Sequence, residues 1–242
     1  KMTKFISLTW LRIKKITITF LSPQLLYHFI RNGIVAGIEH KMILFKDLNT
    51  VVDIGANKGQ FALATKFYTK SKVISFEPLE GPAKKFTKVF EEYDDVTLKE
   101  VAIGPRDEVR KINITNNDDS SSILEIGKLQ KSIYDTEVVG TKEIQIRPLD
   151  SVINESEIVS PSLLKIDVQG FEKQVIEGSI RVINKFDYIY CECSYVELYK
   201  EQALASDIID QLSTLGFKVC GIYNTYYENG KSIQSDILFQ KI

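Results

Sequence analysis

Two short segments carry residue types and spacings suited to holding a nucleotide-like ligand. In VVDIGANKGQF at 51–61, Asp53, Gly55, Asn57 and Gly59 fall where an apolar run gives way to a helical stretch. Glycine lets a backbone approach a ligand with no Cβ in the way. The start of a helix offers unpaired N–H groups at its positive end, which suits a carboxylate, and Asp53 is placed to receive an ammonium group. A GxxxG spacing also serves plain strand-to-helix packing, so corroboration is needed. It comes from Phe76-Glu77-Pro78, which ends the next apolar run 22 residues beyond Gly55, where an acid can accept both hydroxyls of a ribose. Dinucleotide enzymes share this logic, which keeps hydride transfer open. Positions 57 and 60 are Asn and Gln, however, so the GxGxxG bed for a pyrophosphate is missing. That favours S-adenosylmethionine.

A third constellation follows Leu163, Leu164 and Ile166, an apolar run ending in Asp167 and Gly170. Methyl transfer is an in-line displacement from an already activated donor, so a protein must chiefly align the acceptor and exclude water. Asp167 is the first candidate for the base, and Lys165 lies on its side of the strand by two-residue alternation and can tune its charge. The competing reading is a structural ion pair or a cap for the next helix. Glu192, in YCECS at 190–194, ends the following run and is a candidate substrate contact. Two carboxylates can share a divalent cation, but no third ligand is identifiable and no metal is expected. Ser120, Ser121, Ser122 and Tyr195 are further candidates for acceptor contact, against a mobile loop for the serines and core or rim for the tyrosines, Tyr223, Tyr226 and Tyr227 included. The two histidines, His28 and His40, precede the glycine turn, so a base from the later core must be a carboxylate, a lysine or a tyrosine.

These residues must be positioned by short apolar runs alternating with helical stretches, the pattern of a doubly wound α/β domain with a mostly parallel sheet. The patterning predicts strands near 49–54, 72–77, 96–99, 162–167, 186–192, 217–222 and 235–240. Helices are predicted near 58–69, 80–91, 171–183 and 202–215. Between about 104 and 160 the alternation breaks down, which reads as an insertion carrying substrate loops. The domain proper is then 47–242.

Residues 1–46 differ in charge: Lys1, Lys4, Arg12, Lys14, Lys15, Arg31, Lys41 and Lys46 face the single acid Glu39, although the whole chain is nearly neutral at −1. Phe5, Leu8, Trp10, Leu11, Ile13, Ile16, Phe20 and Leu21 mix with these bases ahead of Ser22-Pro23, a helix boundary. The preferred expectation is a helix packed across the core as a lid. The alternative is peripheral membrane contact through 1–22. No run approaches the roughly 18 apolar residues of a membrane helix. The three cysteines are an odd number without zinc-site spacing, and they read as reduced thiols in a cytoplasmic protein.

DIGANKGQF, FEP, VAIG at 101–104, Ser120-Ser121-Ser122-Ile123-Leu124, Leu149-Asp150 and LLKIDVQGFEKQVIEG at 163–178 together resemble the FkbM family of methyltransferases. The resemblance spans about 49 to 240. Its most specific piece is KIDVQG, where the family usually reads KIDVEG, so Gln169 stands in place of an acid. The resemblance implies a class I methyltransferase sheet of seven strands with helices on both faces, S-adenosyl-L-methionine as donor, and a hydroxyl acceptor, often on a sugar of a glycoconjugate, polysaccharide or natural product. Carried over, Asp53, Gly55, Asn57 and Gly59 form the first cofactor motif and Glu77 is the ribose acid. Ala102 of VAIG lies on the cofactor side, and Asp167 ends the fourth strand. A small-molecule or glycan acceptor is expected, not a nucleic acid. A nucleic-acid ribose methyltransferase would want a basic groove, which the acidic core argues against. A non-catalytic cofactor-binding module is the third reading.

Overall fold

The computed structural model describes residues 13–44 and 47–242. Strands buried on both faces need unbroken apolar runs, and TVVDI supplies the first, β1 (Thr50–Ile54), followed by β2 (Lys72–Phe76) and β3 (Val96–Lys99). Next come β4 (Ala102–Ile103), β5 (Glu108–Thr115) and β6 (Val138–Arg147), then β7 (Ser162–Ile166), β8 (Tyr188–Ser194), β9 (Phe217–Glu228) and β10 (Lys231–Lys241). The main sheet has seven strands in the order β3-β2-β1-β7-β8-β10-β9. All its pairings are parallel except those of β10, which runs antiparallel to both neighbours. The order reverses beside β1, and the carboxyl ends of β1 and β7 open a crevice there, the usual ligand position in such sheets.

Helices cover both faces. Helix α3 (Gln60–Tyr68) and α4 (Glu80–Val89) pack Phe61, Leu63, Phe86 and Val89 with Val51 and Val73. On the other face α6 (Glu172–Ser179) and α7 (Ala205–Thr214) bring Val175, Ile176, Ile208 and Leu212 onto Val52, Ile74 and Leu164. Val51 and Val52 thus serve opposite cores by strand alternation. Each such fully buried side chain is worth about 1.5–3 kcal/mol.

Two features depart from the sequence expectation. The last two strands run several residues longer, because Asn229 and Gly230, both at positive φ (49° and 76°), close a tight hairpin between β9 and β10. An Asn-Gly pair is the strongest short-range hairpin signal, but β9 alternates poorly on its approach to it, so the apolar pattern ends before the strand does. Within the expected insertion, residues 102–147 are β-rich: β4, β6 and β5 form a second, three-stranded sheet, with α5 (Lys128–Tyr134) between β5 and β6.

The basic segment is described from residue 13. Helix α1 (13–21) leads through Ser22, whose hydroxyl caps the next helix, into α2 (Pro23–Asn32). Leu25 and His28 of α2 are buried, and His28 Nε2 lies 3.0 Å from the Tyr93 hydroxyl. Phe5, Leu8, Trp10 and Leu11 lie outside the described residues. Among the described residues no helix is long and apolar enough to cross a membrane.

Candidate active site

A cavity of about 300 Å³ occupies the crevice. On one side, Glu77 follows β2 and is only 7% exposed. Its Oε2 accepts the Asn57 N–H and its Oε1 the Leu79 N–H, both at 2.9 Å. Each carboxylate oxygen has a second acceptor position, so the ribose-binding capacity remains. Burial pushes the Glu77 carboxyl up to about 7 against the pull of those N–H groups. Leu79, Val101, Ala102 and Phe171 line the same cavity as an apolar wall, and Gln60, in the first turn of α3, lies on it too. A buried acid with acceptor positions to spare, an apolar slot and a helix start fit an adenosine bearing an amino-acid tail.

Across the cavity, parallel register sets Asp53 of β1 beside Lys165 of β7. Lys165 Nζ lies 3.1 Å from Asp53 Oδ1 and 3.4 Å from Asp167 Oδ2, with side-chain exposures of 6% for the lysine, 0% for Asp53 and 33% for Asp167. Lys165 is the partner that holds Asp53: among the described residues the Asp53 oxygens have no other hydrogen-bond donor. Burial raises the Asp53 carboxyl above its ordinary value, outweighing Lys165. Burial opposes the lysine charge as well, but the two carboxylates overcome it and keep the ammonium protonated. Asp167 is also pushed up by burial, yet Lys165 and the Gln169 amide prevail and hold it below the usual carboxylate range.

The expected residues therefore sort into groups. Gly55, Asn57, Glu77, Ala102, Ser121, Lys165 and Asp167 line the cavity. Asp53, Gly59, Ser122, Glu192 and Tyr195 do not. Asp53 lies beneath Lys165 and reaches the cavity only through it. Gly59 has φ +92°, and a Cβ there would come within 2.6 Å of the Phe90 ring, so its glycine serves packing of α3 on α4. Gly55 is required for a different reason: a Cβ would stand 1.8 Å from the Asp167 carbonyl oxygen, where the two loops meet. The Asp167 N–H donates to the Ile54 carbonyl at 3.1 Å, closing that junction.

Ser122, Glu192 and Tyr199 act on the turn after β7. The Ser122 hydroxyl donates to the Gln169 carbonyl at 2.6 Å. Gln169 Nε2 donates to Asp167 Oδ1 and Glu192 Oε2, each at 3.0 Å, while its Oε1 accepts the Tyr199 hydroxyl at 2.7 Å. The residue in place of the usual acid thus bridges two carboxylates with an amide. Tyr195 is partly buried against the main core. Among the described residues no group of three or more His, Cys, Asp or Glu side chains could hold a metal ion.

Sequence reasoning missed His40, Glu39 and Lys15, which line the same cavity. His40 belongs to a short 3-10 helix, Ile38–Met42, tied to α3 by the Gly37 N–H donating to the Gln60 carbonyl at 2.8 Å. No local signal marks it, since it enters the site by a long-range contact.

The profile of the Methyltransferase FkbM domain matches residues 53–219. The chain is 30% identical over 178 residues to the 2-O-methyltransferase NoeI of Sinorhizobium fredii (strain NBRC 101917 / NGR234), covering 70% of this chain and 73% of the relative. Among solved structures it is similar to Sp1610 of Streptococcus pneumoniae in complex with S-adenosyl-L-methionine, with a TM-score of 0.50 at 11% identity over 85% of this chain and 73% of that one. At that identity the likeness speaks for the fold alone, which is the class I methyltransferase arrangement.

Proposed function

The chain belongs to the FkbM methyltransferase family, and we propose that it methylates a hydroxyl of a sugar in a glycoconjugate, polysaccharide or natural product. Its donor, S-adenosylmethionine, supplies when bound a methyl group on a positively charged sulfur, already activated for displacement. The 2-O-methyltransferase relative supports oxygen as the accepting atom. The observation that carries the reading is that one cavity joins buried Glu77 to the cluster of Lys165 and Asp167, so donor and acceptor meet across it.

Within this reading Glu77 binds the ribose hydroxyls, Ala102 and its apolar neighbours enclose the base, and Asn57 and Gly55 shape the loop beside the amino-acid tail. Asp167 accepts a hydrogen bond from a hydroxyl next to the reacting one and so turns the reacting oxygen toward the methyl carbon. Lys165, fixed as an ammonium, holds Asp167 in place and transmits the charge of Asp53. The apolar wall of Leu79, Val101, Ala102 and Phe171 keeps water from that side of the cavity, which strengthens the contacts there. Ser121 contacts the acceptor, while Ser122 and Glu192 act through Gln169 and Tyr195 backs the core beneath. Residues 47–242 form the catalytic domain, and the segment of about 104–160 supplies the acceptor side.

The basic segment serves as a lid through Lys15, and its exposed Ile13, Ile16, Phe20 and Leu21 suit peripheral contact with a membrane surface. Deleting 1–22 checks this by vesicle partitioning, with unchanged partitioning favouring the lid alone. The function itself is tested with labelled donor and a panel of methyl glycosides of hexoses, deoxyhexoses and amino sugars. Label transferred to a glycoside oxygen is expected. Cofactor binding without transfer to any glycoside would refute the sugar assignment.

A further inference from the structure

The hydrogen bonds around His40 fix which of its nitrogens can act. Burial and the Asp236 carboxylate keep the Tyr190 phenol protonated far above its ordinary range, so Tyr190 has one proton to give. It donates that proton to Asp236 Oδ2 at 2.9 Å, and the same oxygen accepts the Asn224 amide at 2.8 Å. His40 Nδ1 lies 3.1 Å from the Tyr190 oxygen and 3.5 Å from Asn224 Nδ2, but the two hydrogens of that amide have nearer acceptors in Asp236 Oδ2 and the Tyr190 oxygen, at 2.8 and 3.2 Å, which leaves none for Nδ1. With the phenol proton spent on Asp236, the contact with Tyr190 is a bond only if His40 carries its proton on Nδ1 and donates it. The lone pair is then on Nε2, since a neutral imidazole has one donor and one acceptor.

Nε2 makes no hydrogen bond among the described residues. Its nearest charged neighbour, Glu39 Oε1, is 3.8 Å away and already accepts the Lys15 ammonium at 2.7 Å. The other Glu39 oxygen, Oε2, is buried without a partner. The His40 ring is clamped edge-on by Phe61 and Tyr190, with centroids 5.2 and 5.6 Å away, and its side chain keeps 15% of its surface open. A core histidine satisfied at both nitrogens would show neither the unused Nε2 nor a place on the cavity wall. Asp167 is a poor proton acceptor by contrast, because Lys165 and Gln169 stabilise its ionised form, and Lys165 is protonated already.

We propose that His40 Nε2 takes the proton of the acceptor hydroxyl, an assignment that rests on the sugar-acceptor reading above. In the step, the acceptor oxygen forms its bond to the methyl carbon as the carbon–sulfur bond breaks, the electron pair of that bond returns to sulfur, and the O–H proton passes to Nε2. The imidazolium then releases the proton to solvent. Tyr190 and Asp236 are positioning residues: they set the tautomer and offset the imidazolium charge from 3.7 Å. The charged groups facing His40 are Asp236 from β10, Glu39 beside it, and Lys165 and Asp167 from the end of β7. Burial lowers the imidazole below 6.5, Lys165 adds to this, and the three carboxylates oppose it. The ring is therefore neutral at pH 7, ready to accept.

His28 and His40 are the chain's two histidines, so nitrogen NMR of the protein resolves both without any turnover. The expected spectrum has His40 as the Nδ1–H tautomer titrating below pH 6.5, Tyr190→Phe raising the share of Nε2–H, and Asp236→Asn moving the titration to lower pH. His40→Gln is expected to lower methyl transfer to a glycoside about 10²–10⁴-fold, with calorimetric cofactor affinity within about twofold of the wild type. An Nε2–H tautomer in the wild type, or His40→Gln turnover within about twofold of it, overturns the assignment. A wild type that transfers methyl to no glycoside refutes the sugar reading instead, and the tautomer and titration still decide whether His40 is set up as a base.

Discussion

Replacing Lys165 by methionine keeps an unbranched apolar stem out to Cε and removes the ammonium that lies 3.1 Å from Asp53 and 3.4 Å from Asp167. Asp53 is 0% exposed and among the described residues is partnered by Lys165 alone, so the variant leaves a buried carboxylate with no compensating charge. Removing one partner of a buried pair typically costs about 3–5 kcal/mol. A second route agrees: Asp53 can instead take a proton, and protonating a carboxyl with the ordinary value of 3.8 at pH 7.5 costs at most about 5 kcal/mol, at 1.36 kcal/mol per unit. At pH 5 the same arithmetic gives about 1.6 kcal/mol. A group whose folded value is raised contributes most below its unfolded value and loses that contribution as pH rises, so the penalty must shrink on acidification. Urea denaturation of wild type and Lys165→Met at pH 7.5 and pH 5 measures both numbers. Adding Asp53→Asn to the variant is expected to return most of the loss at pH 7.5. A penalty below about 1 kcal/mol at pH 7.5, or one that does not change with pH, refutes the buried-cluster reasoning.

Glu77, with its carboxyl near 7, must be ionised to bind a ribose diol by charge-assisted hydrogen bonds. Cofactor affinity is therefore expected to fall as pH drops below 7. Near pH 7 binding releases protons, so the calorimetric enthalpy should depend on the buffer's ionisation enthalpy, and Glu77→Gln should abolish that dependence while weakening binding by about 1.5–3 kcal/mol. Gln169→Glu exchanges an amide that donates to Asp167 and Glu192 for a further carboxyl beside two others, losing a bond to ionised Asp167, about 1.5–3 kcal/mol, and one to Glu192, whose carboxyl burial and its acidic neighbours push well above the ordinary range, about 1 kcal/mol. The new carboxyl has a raised value, so stability lost at pH 8 should return toward pH 5. Equal urea midpoints for variant and wild type at pH 8 would count against the bridge.

The alternation of VVDI, KVISF and SLLKI with helical stretches is written locally, because residues buried on both faces of a strand or on one stripe of a helix recur with the periods of the backbone itself. Gly55, Glu77, Lys165 and Asp167 were legible for the same reason: each terminates an element, or turns one, within a few residues of a recognisable run. The roles of Gly59 and Asp53 were not. Phe86 and Phe90 meet Gly59 from another helix, and Asp53 faces Lys165 only because β1 and β7 pair although more than a hundred residues separate them.

His40 marks the boundary most clearly. Sequence determined that the chain has two histidines, that both precede the glycine turn, and that the core would bind a nucleotide-like donor. Only the tertiary structure brought His40 beside Tyr190 of β8 and Asp236 of β10, through the antiparallel register that sets Asp236 opposite Glu192. Strand order and register follow from which apolar faces bury together over the whole sheet, a property of the complete core and not of any window of sequence. The direction of an imidazole lone pair depends in turn on that packing, so it became readable only once every proton around Tyr190 had a place.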